Sequence, residues 1–381
     1  MSKHPIVAGH WSRFAFCLTV AGIMALAVPR AAPAQGAGGP AGGKIAPALS
    51  LAQIPPRPGL PLLTVINELG GVAHVFPTVA NAAVFRSMGT EYDGGDPPLV
   101  YHSGGSVMAA TVIYTILWVP SQLQNGGATG MPSKYRNLVK RLATDYPGHG
   151  IDNVATQYYE VAKYTAYIHN AGYNGGYYVD TSNYPASGCT DSATPGNCIT
   201  DAQIQSEMQK VMSIKGWTGG LGHIFLLYTS SGEGSCFDSG SSECAYTQYC
   251  AYHSYIAGTP DTIYANLPFG NTTACQLSNE PSPNNDPEAD AVMTGASHEI
   301  TEARTDPLLN AWFTATLGYE IGDLCAYDYG TTNTWDSGNA NESWNGHYYL
   351  LQTEFDNHAY SFGNGCVQVG PYQATPSSGA W

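Results

Sequence analysis

The sequence is poor in basic residues. Only 14 of its 381 residues are Lys or Arg, against 29 Asp or Glu, which gives a formal net charge of −15. Because such a chain repels phosphate, the composition excludes a basic nucleic-acid-binding protein. Charged residues make up 11% of the chain and hydrophobic residues 43%. That apolar content is enough to build a sizeable core, so a disordered acidic chain is excluded as well.

The sequence also lacks the motifs of several common protein classes. No serine lies in a G-x-S-x-G nucleophile elbow, and the Gly-Gly dipeptides do not have the spacing of a phosphate or dinucleotide loop. No C-x-x-C pair is present, which argues against a cysteine-bound zinc cluster. The sequence has no repeat of fixed period and no sustained heptad, which argues against a solenoid and against a coiled coil.

Long apolar runs are scarce, and one of them stands near the N-terminus, at residues 14–28. Lys3 and Arg13 precede this run, and Ala32 and Ala34 fit the −3 and −1 positions of a cleavage site. This pattern predicts a secretory signal peptide over residues 1–34. The run is too short for a comfortable membrane span, although an uncleaved anchor is the alternative. We therefore expect a secreted protein, extracellular or periplasmic, that has no membrane association after cleavage.

The cysteines support export. Of the nine in the chain, Cys17 lies in the predicted signal peptide, and an even number remains. An even number of cysteines in an exported chain predicts disulfides, although the spacing does not fix how they pair. We expect the pairs Cys189–Cys198, Cys236–Cys244, Cys250–Cys275 and Cys325–Cys366.

The rest of the chain predicts one domain. Residues 35–95 are rich in Gly, Pro and Ala and are interpreted as a linker or pro-segment, with a short strand near 73–76. Residues 96–370 are expected to form one disulfide-bonded α+β or mixed α/β domain with a central mixed sheet and a late helix, followed by a flexible tail at 371–381. Strands are predicted at 111–119, 176–179, 223–229, 262–265 and 348–355, helices at 133–146, 152–166, 202–215 and 286–303, and a loop over most of 230–275.

The late helix carries the candidate metal site. His298 and Glu302 are four residues apart, so in a helix they lie on one face and can bind one cation. Glu299 lies near that face and could act as general base on an activated water. The pattern is that of the zincin motif H-E-x-x-H, with the second histidine replaced by Glu. The alternative is a solvated helix face.

Two carboxylates downstream extend this hypothesis. Glu320, 22 residues after His298, is our candidate for the third ligand. Asp323 is expected to hold a metal ligand in its orientation, and we include it among the metal-site residues. Asp306 is a rival third ligand, and a helix start that attracts acidic residues is the alternative interpretation. His253, placed in an aromatic loop, is a candidate ligand or oxyanion stabiliser, although a structural histidine is the more common role.

These residues resemble the exordium/phosphate-induced protein family of secreted proteins, in its microbial branch. The resemblance runs from residues 100–105 through 250–253 to the block 298–312, then over 320–325, 351–356 and Cys366, and so covers most of residues 98–369. The segments H-E-x-x-E, T-D-P, N-A-W and E-I-G-D-L-C are its most specific part. The resemblance implies export and a shared fold more directly than it implies a reaction.

The sequence therefore predicts a secreted, zincin-like metal-dependent hydrolase, most simply a peptidase. We expect one divalent metal, with Zn first and Ca or Mn as alternatives because the site is rich in carboxylates. A peptide or a cell-wall polymer would be the substrate, and a monomer is expected. The alternative is a non-catalytic extracellular protein that binds cell-wall material and whose carboxylates are structural or hold Ca²⁺.

Overall fold

The computed structural model describes residues 45–56, 60, 62–67, 70–87, 97–240, 243–276, 280–335 and 337–370. All of them belong to one compact unit. The predicted signal peptide and the predicted tail lie outside the described residues. The fold is α+β, with a mixed central sheet and few helices, as the sequence predicts.

A seven-stranded sheet organises the domain. In chain order its strands are β1 (Thr64–Ile66), β2 (Val72–Pro77), β3 (Thr111–Trp118), β4 (Gly172–Asp180), β5 (His223–Tyr228), β6 (Tyr249–Ile256) and β7 (Thr262–Leu267). Their spatial order is β1-β2-β6-β7-β5-β3-β4. Strands β7, β5, β3 and β4 run parallel, whereas β6 is antiparallel to β7 and β2. The sheet is therefore parallel on one side and antiparallel on the other.

Six helices accompany the sheet in the described residues: α1 (Val79–Ser87), α2 (Ser133–Asp145), α3 (Gly150–Val154), α4 (Asp201–Lys215), α5 (Pro287–Thr305) and α6 (Asn357–Tyr360). Helix α4 begins with a capping box between Thr200 and Gln203 and ends at Gly216 with φ +66°. Helix α5 begins at Pro287, capped by the Asp286 side chain, and ends before Asp306. The predicted bounds of these two helices are correct to within a few residues.

The remaining elements are short. A three-stranded sheet joins Ile45–Ala46, Val100–His102 and Trp312–Phe313. Two-stranded pairs are formed by Tyr159–Val161 with Thr165–Tyr167, Cys198–Thr200 with Gly234–Cys236, Asn333–Trp335 with Gly338–Ala340, Glu342–Trp344 with His347–Tyr349, and Glu354–Phe355 with Cys366–Val367. Short 3-10 helices occur at Leu51–Gln53, Ala155–Gln157 and Asp323–Cys325.

The two faces of the sheet carry different layers. Helix α5 packs against β6 and β7 and also contacts α2, whereas α4 contacts β5 from the other side. One apolar cluster, including Ile224, Ala265 and Ile300, lies between the sheet and α5. A second cluster, including Ile204 and Phe225, lies between the sheet and α4. Because α5 packs against the sheet and also against α2, it is buried along almost its whole length.

Several predictions of local structure need correction. The interpretation of 35–95 as a linker, with the domain starting at residue 96, does not hold for 64–87, since this stretch supplies β1, β2 and α1. Residues 152–166 do not form one helix, and 348–355 do not form one strand. The predicted loop over 230–275 contains the central strand β6, which is buried on both faces. Its many polar residues do not form the continuous apolar run that would have predicted a buried strand.

All four predicted disulfides are present: Cys189–Cys198, Cys236–Cys244, Cys250–Cys275 and Cys325–Cys366. Disulfides of this number are typical of proteins that fold in an oxidising compartment. Among the described residues, no helix has the length and apolarity needed to cross a membrane.

Candidate functional site

The predicted motif lies on the face of α5 that packs against the sheet. His298, Glu299 and Glu302 are all 0% exposed. The Nε2 atom of His298 lies 3.0 Å from Oε1 of Glu302, one helical turn further on. The i, i+4 spacing therefore brings these two side chains together, as the sequence predicts, but in the interior and not on a solvated helix face.

Two histidines from the sheet face this motif. His74 on β2 and His253 on β6 are direct register partners, so both side chains leave the sheet on the same face. Nδ1 of His253 lies 3.1 Å from Oε2 of Glu299 and 3.5 Å from Oε2 of Glu302. The structure therefore places His253 next to the other predicted site residues. Its role as a ligand or oxyanion stabiliser remains a prediction.

The segment after α5 returns two carboxylates to the same place. Glu320 is buried, the side chain of Asp323 is only 2% exposed, and the backbone N–H of Glu320 donates to Oδ2 of Asp323 at 2.8 Å. Oδ2 of Asp323 also lies 2.6 Å from Nε2 of His74, and its Oδ1 lies 4.0 Å from Nε2 of His298. Asp323 thus contacts His74, and its role in orienting a metal ligand remains a prediction. Oε2 of Glu320 lies 3.6 Å from Nε2 of His253.

Gln352 and Gly322 fix the position of the His298 ring. Nε2 of Gln352 lies 2.9 Å from Nδ1 of His298 and 2.9 Å from the carbonyl oxygen of Gly322. A Cβ atom on Gly322 would lie 2.5 Å from Nδ1 of His298, so only glycine allows this approach. A cation on Nε2 requires the ring proton on Nδ1, and Gln352 would then present its oxygen there.

Several polar atoms of this site have no hydrogen-bond partner among the described residues. They are Nε2 of His253 and of His298, both carboxylate oxygens of Glu302 and of Glu320, Oδ1 of Asp323 and Oδ2 of Asp306. Glu299 differs, because Oε1 accepts a bond of 3.3 Å from the backbone N–H of Phe76 and Oε2 faces His253. Buried polar atoms without partners are costly, so a ligand that paired with these atoms would stabilise the fold.

Burial dominates the electrostatics of the carboxyl groups. It raises the pKa of Glu299 and of Glu320, and the neighbouring charge of Glu302 raises both further. Burial raises the pKa of Asp306 to about 7, although backbone N–H groups of Ala311 and Asn310 oppose the shift. Glu302 is the exception: burial would raise its pKa, but His298 and His253 outweigh burial and lower it. Among these glutamates, Glu302 is therefore the one whose ionised form the neighbouring histidines favour.

The sheet histidines respond in opposite directions. Burial alone would lower the pKa of His74, but the carboxylate of Asp323 outweighs it and the pKa is raised. For His253, burial wins over the attraction of Glu302, and the pKa is lowered. The surroundings therefore favour the neutral form of His253.

At this site, three sets of side chains place ligand atoms within 4.8 Å of one another, and Glu302 belongs to all three: His298 with Glu302 and Asp323, His74 with Glu302 and Glu320, and His253 with Glu299 and Glu302. Imidazole nitrogens with carboxylate oxygens suit Zn²⁺ or Mn²⁺, so the residues fit a divalent cation. The predicted trio of His298, Glu302 and Glu320 is divided between two of these sets. Its Glu320 lies in the set of His74.

Sequence reasoning missed His74, Gln352 and Gly322. A signal existed for His74, since it interrupts the apolar run of the short strand predicted near 73–76. Interpreting that region as a linker prevented its use. Gln352 and Gly322 had no comparable signal, because their roles depend on how close the chain segments come in space.

Comparisons with known proteins give one partial similarity. The chain is 43% identical over 53 residues to Protein EXORDIUM-like 3 of Arabidopsis thaliana, a stretch that covers 13% of this chain and 16% of the relative. No family model matches the chain. No solved structure matches it. The similarity agrees in part with the resemblance to the exordium family.

Proposed function

We propose that this chain is a secreted metal-dependent hydrolase of zincin-like type, with peptides as its substrate class. The observation that carries the proposal is the position of Glu299. Its carboxyl group is held between the Phe76 N–H and His253, beside the partnerless atoms of His298 and Glu302. A general base must be fixed in this way next to the reacting centre.

The roles follow from the contacts. His298 and Glu302 would hold the cation, with Asp323 as the third ligand because its free Oδ1 faces His298. When bound, a divalent cation supplies polarisation of a carbonyl group and of a water molecule. Glu299 would accept the proton of the attacking water from the position in which the Phe76 N–H and His253 hold its carboxylate. His253 would hold the Glu299 carboxyl group in place and would stabilise the negative charge that develops during the reaction.

A cavity provides a candidate route to the site. Its volume is about 360 Å³, and its walls are mostly apolar residues: the segment 51–56, residues 60, 62, 63 and 66, and Leu317. Thr64, also in its wall, lies 3.3 Å from Nδ1 of His74 through its hydroxyl group, and Tyr319, another wall residue, precedes Glu320. Because His298, Glu299 and Glu302 are 0% exposed, turnover requires the chain to open, and we expect the opening at this wall.

The experiment is digestion of a broad peptide library by the purified full-length protein loaded with Zn²⁺. Cleavage should occur, and Glu299→Gln should abolish it while the bound metal is retained. Glu288→Gln, the same change in the first turn of α5, is the matched control and should cleave normally. Absence of cleavage by the metal-loaded protein under all peptide compositions would count against the proposal.

A second function has its own observation. Complete burial of the site is typical of closed structural metal sites, in contrast to catalytic sites, which keep an open position. In that case the protein would be a non-catalytic extracellular binding protein that a cation stabilises. Bound metal, a melting temperature that falls on chelation, and no turnover in the library digest would together favour this function.

A further inference from the structure

The proposed single cation leaves several buried ligand atoms without a partner. After His298, Glu302 and Asp323 are assigned, both oxygens of Glu320 remain, and both lie in the interior. Glu320 forms its own set of ligand atoms with His74 and Glu302, all within 4.8 Å of one another. These atoms call for a second positive charge.

Two carboxylates are placed to serve both sets. Asp323 presents Oδ1 toward Nε2 of His298, at 4.0 Å, and Oδ2 toward Nε2 of His74, at 2.6 Å. Glu302 presents Oε1 toward Nε2 of His298, at 3.0 Å, and its carboxylate also belongs to the set of His74 and Glu320. Carboxylates whose two oxygens face different ligand sets are the usual bridges of two-metal sites, in which the cations lie about 3.5–4 Å apart.

The charge of the site points the same way. Glu299, Glu302, Glu320 and Asp323 are buried together, and every ion pair that the described residues give them is with a histidine. Asp306 lies close to Glu320, and its Oδ2 is also partnerless. Two carboxyl groups can face each other in the interior only with a proton or a cation between them, and a second divalent cation beside Glu320 would supply this partner.

We propose that the site holds two divalent cations, bridged by Glu302 and Asp323, with His298 on the first and His74 and Glu320 on the second. Because both positions combine imidazole and carboxylate ligands, Zn²⁺ or Mn²⁺ fits them. This inference rests on the proposed function in that it concerns the same site, and it adds the second position and its ligands. It assigns Glu320 a role that a site with one cation leaves open.

The test measures metal stoichiometry. The purified full-length protein is stripped with a chelator, reloaded with Mn²⁺, dialysed and analysed for manganese per chain by mass spectrometry. Two Mn²⁺ per chain are expected, with an electron paramagnetic resonance spectrum of an exchange-coupled pair. Saturation at one Mn²⁺ per chain, or a spectrum of isolated ions only, overturns the inference.

Variants locate the second position. Glu320→Gln should lower the stoichiometry from two to one and remove the coupled signal, and His74→Gln should do the same. Glu233→Gln changes a carboxyl group that is equally buried and partnerless but lies outside the site, and it should still bind two. If Glu320→Gln folds by circular dichroism and still binds two, the inference fails. If it does not fold, the wild-type stoichiometry and spectrum decide.

Failure of the inference and failure of the proposed function have different signatures. Two cations without any hydrolysis leave the two-cation site standing and remove the hydrolase. One cation with hydrolysis that depends on Glu299 leaves the hydrolase standing and removes the second position.

Discussion

Asp201 and Glu302 are two buried acidic residues that contact opposite faces of one strand, β6, and their carboxylates have different surroundings. Tyr252 and His253 are neighbours on β6. The hydroxyl group of Tyr252 donates to Oδ1 of Asp201 at 2.7 Å, on the side of α4, whereas His253 faces Glu299 and Glu302 of α5. Asp201 and Glu302 thus lie on the two sides of β6.

Asp201 is fully provided with donors. Tyr264 also donates to its Oδ1, at 2.6 Å, and Gln205 donates to its Oδ2, at 2.6 Å. Both oxygens of Glu302, by contrast, have no hydrogen-bond partner among the described residues. A satisfied carboxylate is part of the scaffold, whereas one surrounded by imidazole nitrogens and other carboxylates is suited to a cation. Burial alone does not distinguish the two, since both residues are interior.

The largest expected effect comes from the shared ligand. Glu302→Gln should weaken cation binding by more than about 100-fold, beyond the usual cost of losing an outer partner of a metal ligand. Binding is measured by Mn²⁺ titration calorimetry on the full-length protein. Asp201→Asn, on the other face of the sheet, is the matched control and should leave cation affinity unchanged. Equal losses in the two variants would show that the contrast between the faces has no functional meaning.

Glu233 offers a third kind of buried carboxyl group, one without donors among the described residues and outside the site. Burial raises its pKa to about 8. Because the folded pKa lies above the unfolded one of about 4.3, stability is fully present below the unfolded pKa and is lost as pH rises towards 8. Glu233→Gln should remove a slope of roughly 1 kcal/mol per pH unit over this range.

Denaturant unfolding of wild type and Glu233→Gln at pH 5, 6, 7 and 8 measures this slope. The two proteins should be similarly stable at the lowest pH, and the variant should be the more stable at the highest. Identical pH profiles would mean that the Glu233 carboxyl group is satisfied in solution, as that of Asp201 is.

Gly322 tests the spacing at the site. Its φ of −81° suits any residue, so Gly322→Ala adds only a methyl group, 2.5 Å from Nδ1 of His298. The displaced ring should weaken cation binding by about 10–100-fold, as loss of an orienting partner does. Gly222→Ala is the control, because its added Cβ meets the Ala110 carbonyl oxygen at an ordinary 3.6 Å. Unchanged affinity in Gly322→Ala would remove His298 from the ligand set.

The smallest expected effect is on the other face. Tyr252→Phe removes one of three donors to Asp201 and should lower the free energy of unfolding by about 1 kcal/mol, with cation stoichiometry unchanged. Chemical denaturation and metal analysis of the same sample check both parts. A change in stoichiometry would show that the two faces are coupled through β6.

The sequence by itself determined the features that depend on neighbours along the chain. Helix spacing placed His298 above Glu302, the signals at Pro287 and Asp306 bounded α5, and the even number of cysteines predicted disulfides, whose four expected pairs are all present. Such features follow from local geometry, from caps and from short loops, which a single sequence displays directly.

Only the tertiary structure decided which residues meet across the chain. His74 reaches the site because β2 pairs with β6, a contact between residues about 180 positions apart, and Asp323 turns to His74 for the same reason. Strand β2 was not predicted as part of the domain because the segments around it are rich in Gly and Pro. Strand β6 was not predicted because many of its residues are polar. Their burial comes from neighbours on each side of the sheet, and the periodicity of one strand does not reveal such neighbours.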